Sequence, residues 1–380
     1  MKLRSVVRWC VGVSVALFCI AMGCYTYMRL DIAKKNRAFD LYSLVPANSI
    51  GVLESEDVSA FFHEVSMLNY SQEFERFQFS GLMNFILKGL GEYAATNAHG
   101  LDYQMNHLLV SFHASGTPRD QVIYFHMHSA DKDLLTDLFA EYAPNDYLPK
   151  EEVYRGKRMV IYPLGYTEYL ATYAEDGFLV VSFQKKLIEQ VIDTHLDGHS
   201  LQENPVFDQM QENRKSRNLL TLYSHSIAMP LLNRGDECWS EYDIHLNSDV
   251  LYLAGNAYQV NEDDSWEDTF HALKAHTFVK EPGLMISANN DSTAHYIDVA
   301  GGDAYRDSLF ERCVANLTQE AELTLVVDMQ KVCEDKARFK KYLPKFLLEN
   351  AQVFCPFILS VQYTLHDGQL SHFWVLTYKY

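Results

Sequence analysis

Four histidines fall on two neighbouring segments, 107–114 and 121–128, which flank the sequence SGTPRD. Both segments alternate apolar and polar residues, and this pattern predicts a β-hairpin with a six-residue loop. The apolar residues are Leu108, Val110, Phe112, Ile123, Phe125 and Met127. If one face of the hairpin buries both apolar sets, period-two alternation places all four histidines on the other face. The four are His107, His113, His126 and His128.

Grouped imidazoles can bind Zn²⁺ or respond to pH, so His107, His126 and His128 are the candidate metal ligands. His126 and His128 are neighbours on one side of a strand, about 7 Å apart. If Ala114 pairs with Gln121, His107 lies directly across from His128. No carboxylate is spaced to assist them. The competing interpretation is a polar sheet face turned towards solvent or a helix.

Three other segments contain residue types that could do chemistry. Ser182–Lys185 matches the SxxK pattern of penicillin-binding enzymes, but Ser182 ends a predicted strand and no KTG element follows. Glu262–Asp264 is acidic but lacks the alternating ligands and glycine of a calcium loop. Arg155–Arg158 is a basic tip that suits either an anionic partner or an ordinary turn. We therefore assign no catalytic or cofactor-binding residue, and no cofactor.

Residues 9–28 form an uncharged run of the length that crosses a bilayer as one helix. Basic residues precede the run, so we expect a cytoplasmic tail, a single pass through the inner (cytoplasmic) membrane and a periplasmic C-terminal part. Two alternatives stay open. Residues 21–24 loosely resemble a lipoprotein cleavage box, which would leave a lipid on Cys24, and a signal peptide could instead be cleaved without lipidation.

The composition is that of an acidic protein with enough apolar residues to form a sizeable core. Of 380 residues, 48% are apolar, and the net charge is −18. Such a charge repels nucleic acid and anionic lipid, so we expect no nucleic-acid partner. Outside the apolar run lie Cys238, Cys313, Cys333 and Cys355. They allow three disulfide pairings, and buried free thiols are an equal alternative.

The predicted strands come in hairpins. Asp176-Gly177 and Asp367-Gly368 are tight-turn signals between β-rich runs, and Lys185–Leu196 is an amphipathic helix that Gly198 ends. Hairpins favour an α+β fold in which antiparallel sheets carry helices on one face.

The predicted domains are 1–37 for tail, anchor and stalk, 38–212 for a first α+β lobe and 213–380 for a second. One open interpretation is that the two lobes are distant structural repeats.

Several short motifs carry a resemblance. They are the basic tail and apolar run, Val45–Ser49, Asp176–Ser182 and Ser200-Leu201 ahead of Asn204–Phe207. In this layout the chain resembles a family of uncharacterised, membrane-anchored bacterial envelope proteins. The resemblance implies a Gram-negative envelope location and no known activity.

We therefore expect an anchored envelope protein with a non-enzymatic binding or structural role, which contacts the membrane through residues 9–28 and binds an envelope protein. The alternative is a metal-dependent hydrolase, or a metal or pH sensor, built on the histidine hairpin.

Overall fold

The structure is a computed structural model. It describes residues 22, 39–75, 107–113, 119–127, 148–164, 168–213, 219–225, 232, 238–259, 266–274, 278–288, 308–317 and 321–379. His128, the acidic segment 262–264 and all of the apolar run except Met22 lie outside these ranges. No helix within them is long and apolar enough to cross a bilayer.

Fifteen strands form one antiparallel sheet. The first seven are β1 Gly51–Ser55, β2 Leu108–Phe112, β3 Gln121–Met127, β4 Lys150–Tyr154, β5 Lys157–Pro163, β6 Tyr169–Glu175 and β7 Gly177–Ser182. The other eight are β8 Leu220–His225, β9 Cys238–Leu246, β10 Val250–Gln259, β11 Phe278–Glu281, β12 Leu284–Ser287, β13 Leu323–Asp328, β14 Phe357–His366 and β15 Gln369–Tyr378.

The strand order divides into two halves of similar connectivity, with seven strands in the first half and eight in the second. It reads β11-β12-β13-β14-β15-β10-β9-β8-β1-β2-β3-β7-β6-β5-β4. In each half a three-strand meander runs outwards from the centre, and the last strand of the half returns to pair with the third. The first strands of the halves, β1 and β8, pair antiparallel with Leu53 opposite Leu222. The sheet is therefore continuous across the predicted boundary at 212/213, and separate lobes stay a prediction.

Ten α-helices lie within the described residues. They are α1 Val58–Ser66, α2 Ser71–Glu75, α3 Lys185–Asp197, α4 Pro205–Asn213, α5 Trp266–Lys274, α6 Leu309–Ala315, α7 Met329–Glu334, α8 Lys336–Phe339, α9 Lys345–Glu349 and α10 Ala351–Phe354. Two 3-10 turns, Leu41–Leu44 and Leu201–Glu203, complete the set. The fold is therefore α+β, as expected.

Helices cover both faces of the sheet, so the expectation of helices on one face is wrong. In the first half, α3 packs through Ile188 and Val191 on the face that carries Leu109 and Val180, which we call face A. Residues of the opposite parity, such as Leu108, point to face B because side chains alternate along a strand.

In the second half, α7 to α10 pack on face B against Leu325 and Leu359. Helix α6 packs on face A through Val314, which contacts Met285 and Val326. A sheet whose strands are buried on both sides needs cover on both sides, which explains the near-continuous apolar strands β3 and β7.

Local turn chemistry follows the sequence closely. Gly177 has a φ of 106° where β6 turns into β7, and Gly198, with a φ of 79°, ends α3. Asp367 and Gly368 both have positive φ, as the tight turn between β14 and β15 requires. The four cysteines outside the apolar run are all free thiols in the described part of the chain.

Candidate functional site

Two carboxylates and two histidines lie together where strands β1 and β3 end and strand β2 begins. Strand β1 ends beside the start of β2, with Ser55 opposite Leu108. Strand β3 ends beside the same point, with Leu108 opposite Phe125. Alternation then directs Glu54, Glu56, His107 and His126 to face A at this edge. We call these four residues the carboxylate–histidine cluster.

Hydrogen bonds join the cluster into a chain. Glu54 Oε1 lies 2.8 Å from His107 Nε2, and His107 Nδ1 lies 3.0 Å from His126 Nε2. The two imidazole rings stack with centroids 5.1 Å apart. On the other side, the Tyr42 hydroxyl donates to Glu54 Oε2 over 3.0 Å. The order Tyr42–Glu54–His107–His126 is therefore continuous.

Burial makes these contacts necessary. Glu54 is only 3% exposed, and a buried carboxylate is costly unless hydrogen bonds or opposite charge compensate it. Tyr42 and His107 supply that compensation. Burial, and next the negative charge of Glu54, raise the pKa of Tyr42 well above its ordinary value, so the hydroxyl stays a donor. The His107 side chain is 21% exposed, so the cluster reaches solvent on that side.

Three ligand atoms of the cluster share one small volume. One oxygen of Glu54, one of Glu56 and one ring nitrogen of His107 all lie within 4.8 Å of one another. Two carboxylates and an imidazole are a donor set that Zn²⁺ and other divalent transition metals accept. The residues present therefore fit a metal ion, which His107, Glu54 and Glu56 would hold.

The hairpin prediction is right in its faces, and the observed register differs from the one that was considered. Five of the six predicted apolar residues are buried in one face-B cluster, and Phe112 packs against it. The register considered as a condition, Ala114 opposite Gln121, does not occur, because Phe112 lies opposite Gln121. The shift of two residues keeps every side chain on its predicted face. It puts His126, rather than His128, across from His107.

The histidine face is not a solvent-exposed face. His126 is 4% exposed and His113 is 5% exposed. His113 lies at the far end of β2 from His107, with Nε2 3.0 Å from the Ser111 hydroxyl. Burial lowers its pKa to about 4. The structure therefore joins His107 and His126, separates His113 from them, and leaves His128 outside the described residues.

Sequence reasoning missed the two glutamates and Tyr42, and the statement that no carboxylate assists the histidines was wrong. Glu54 comes from a strand 53 positions away from His107. One signal was available in the sequence VLESE. Val52, Glu54 and Glu56 share a parity, so a carboxylate follows a buried valine on the same strand face.

The remaining candidates are structural. Ser182 is buried; its hydroxyl donates to the Gln121 carbonyl over 2.8 Å and accepts from the Gln184 amide. Lys185 forms ion pairs with Glu152 and Glu189, so it does not activate Ser182. The SxxK match thus has no nucleophile–base contact.

Comparisons with known proteins give no family. No protein-family model matches the chain, and no curated protein matches it. Solved structures titled crystal forms III and IV of TP0453 share 10% identity with it, at TM-scores of 0.33 and 0.35. The alignments cover 64% and 58% of this chain, and 90% and 82% of those chains. Scores this low support no statement about fold or function.

Proposed function

We propose that the chain is a non-enzymatic, membrane-anchored envelope protein whose outer part binds one divalent transition-metal ion at Glu54, Glu56 and His107. The observation that carries the proposal is the convergence of these three ligand atoms within 4.8 Å. The uncharged run 9–28 and the resemblance to anchored envelope proteins support the membrane part.

Zinc geometry fits the cluster after a small expansion. Bonds of about 2.0–2.2 Å in a tetrahedral site place ligand atoms about 3.3 Å apart. The Glu54–His107 contact is 2.8 Å, a hydrogen-bond distance, so these atoms must separate by about 0.5 Å to admit an ion. His107, whose side chain is 21% exposed, can make that movement, while Glu54 stays fixed by Tyr42.

His126 would serve as an orienting partner. Metal-bound histidines usually donate their second ring N–H to a nearby acceptor, which fixes the tautomer and the ring direction. Here His107 Nδ1 lies 3.0 Å from His126 Nε2, which leaves His107 Nε2 directed towards the carboxylates. The ion would replace a proton on Nε2, so binding should weaken at low pH.

The test is metal binding by the full chain, purified in detergent and stripped with a chelator. We expect about one Zn²⁺ per chain by elemental analysis, and at least tenfold weaker binding by calorimetry for His107→Gln and for Glu56→Gln. His199→Gln is the matched control, because His199 also contacts a glutamate, Glu203, but is exposed and far along the chain. Equal zinc binding by His107→Gln and the natural chain would refute the metal site.

A proton is the competing ligand of the same cluster. The unbroken chain Tyr42–Glu54–His107–His126 favours this second candidate, because it needs no ion to hold Glu54. If the stripped chain binds no zinc but His107→Gln changes the pH dependence of its thermal midpoint between pH 5 and 7, the cluster is a proton sensor.

A further inference from the structure

Among the residues that the structure describes, an otherwise acidic protein carries a strongly basic segment. Residues 336–345 read KARFKKYLPK, in which five of the ten are Lys or Arg and none is acidic. The whole chain has 32 Lys and Arg among 380 residues, so the segment is about six times richer in basic residues than the average. We call the exposed side of this segment the 336–345 surface.

The segment has one apolar side and one cationic side. Phe339, Leu343 and Leu347 are buried in the face-B core. Lys336, Lys340, Lys341 and Lys345 are exposed, and Arg338 is partly exposed. Beside them lies an open groove of about 680 Å³, bordered by Arg338, Lys340, Lys341, Tyr342 and Glu281. The apolar side fixes the backbone, and the charges therefore point away from the sheet together.

Most of this positive charge is not neutralised locally. Arg338 pairs with Glu281, and Lys345 lies 3.5 Å from Glu349. Lys336, Lys340 and Lys341 form no ion pair with any residue that the structure describes.

A second basic site within the described ranges, the tip Arg155–Arg158, differs in its ion pairs. Arg155 pairs with Asp193 and Asp197, Lys157 with Glu175, and Arg158 with Glu151. The positive charge of the tip is therefore neutralised by ion pairs, whereas three lysines of the 336–345 surface form no ion pair within the described part of the chain.

We propose that the 336–345 surface contacts an anionic lipid bilayer. The overall charge of −18 does not prevent this, because salt screens charges beyond about 8 Å at physiological ionic strength. Only charged groups close to the lipid headgroups then contribute to binding. Each lysine there raises the membrane-binding constant roughly fivefold. That this surface lies near a bilayer rests on the proposed membrane anchor, residues 9–28.

The experiment measures lysine acetylation in the full chain, reconstituted into vesicles of phosphatidylcholine alone or with one third phosphatidylglycerol. Mass spectrometry then measures the extent of acetylation at each lysine separately. We expect Lys336, Lys340 and Lys341 to react at least threefold more slowly with anionic vesicles, and 0.5 M NaCl to remove the difference. Lys150, which is 70% exposed on β4, is the internal control.

Variants separate this contact from general adsorption. Lys340→Glu should restore the reactivity of Lys336 and Lys341 on anionic vesicles, while Arg158→Glu should not. The proposal is overturned if the three lysines react equally on both vesicle types, or if Lys150 slows by the same factor. Flotation with neutral vesicles reports the anchor separately, because the 336–345 surface has no attraction for them.

Discussion

Protonation of His372 should be one of the largest single causes of acid instability in this protein. The side chain is 3% exposed on β15. Its Nε2–H donates to the Glu241 carbonyl over 3.1 Å, and its ring lies 4.2 Å from the ring of Tyr242. Aromatic rings and a single carbonyl cannot solvate an imidazolium, so burial lowers the pKa of His372 to about 3.

The sign and size of the effect follow from proton linkage. Below its ordinary pKa of 6.5 the histidine takes up a proton in the unfolded chain, while the folded chain excludes that proton until about pH 3. The unfolded state therefore binds more protons in this window, and the free energy of unfolding falls as the pH falls. Between pH 7 and pH 5 the loss should be about 2 kcal/mol from this residue.

The assay is urea unfolding of the full chain in detergent at pH 7, 6 and 5, followed by tryptophan fluorescence. His372→Phe keeps a ring but cannot bind a proton, so its loss between pH 7 and pH 5 should be smaller by about 2 kcal/mol. Both chains keep a second loss of stability of the same sign from His113, because burial lowers the pKa of His113 to about 4. This second loss cancels when the two chains are compared.

The comparison is between pH slopes, not absolute stabilities, because the variant also loses a hydrogen bond. His199→Phe provides a control of opposite sign, since Glu203 raises the pKa of that exposed histidine. Parallel slopes for His372→Phe and the natural chain would refute the reasoning. They would mean that the imidazole is hydrated in the folded state.

Three further predictions follow from the packing of single residues and from the contact between two thiols. Phe125→Ala should lower the free energy of unfolding by about 3–5 kcal/mol, because Phe125 is 1% exposed, while Phe373→Ala, at a ring that is 41% exposed, should cost far less; equal urea midpoints would contradict this. Gly255→Ala should cost about 3 kcal/mol in the same assay, because a β-carbon there would lie 1.8 Å from a carbonyl oxygen of β9. Among the four cysteines that the structure describes, mild oxidation should join Cys333 to Cys355 first, because these two thiols contact each other; burial, and next that contact, raise the pKa of Cys333 to about 12, so the reaction should be slow at neutral pH, and peptide mapping that finds another disulfide first would contradict it.

Alternation along strands could be read from sequence because it depends only on neighbouring residues. The six apolar residues of the β2–β3 hairpin lie on the predicted face, and Asp176-Gly177 turns where expected. The pairing register of this hairpin was harder to predict from the sequence. Period-two alternation fixes whether an odd residue faces an even one, and slips by two leave that rule satisfied. The pairing of Phe112 with Gln121 therefore had no signal in the apolar pattern.

The candidate site was only half visible in the sequence for a different reason. His107 and His126 belong to one hairpin, so local reasoning brings them together. Glu54 and Tyr42 reach them through the β1–β2 pairing and a 3-10 turn, which are long-range contacts. Pattern reasoning also treats a polar strand face as a solvated one. Here Tyr42 and α3 cover that face, and the Tyr42 hydroxyl donates a hydrogen bond to the buried Glu54 carboxylate.

The antiparallel pair β1–β8 gives the sheet the geometry of a fused symmetric dimer. Two identical half-chains joined through their first strands would make this isologous contact, in which each edge covers the other. Matching the halves through Leu53 and Leu222 pairs each cluster residue with a counterpart in the second half. Glu54, Glu56, His107 and His126 correspond to Tyr223, His225, Trp239 and Tyr258. In the second half this position therefore carries rings that pack together, among them His225 and Trp239 with centroids 5.0 Å apart, whereas in the first half it carries two carboxylates and two imidazoles.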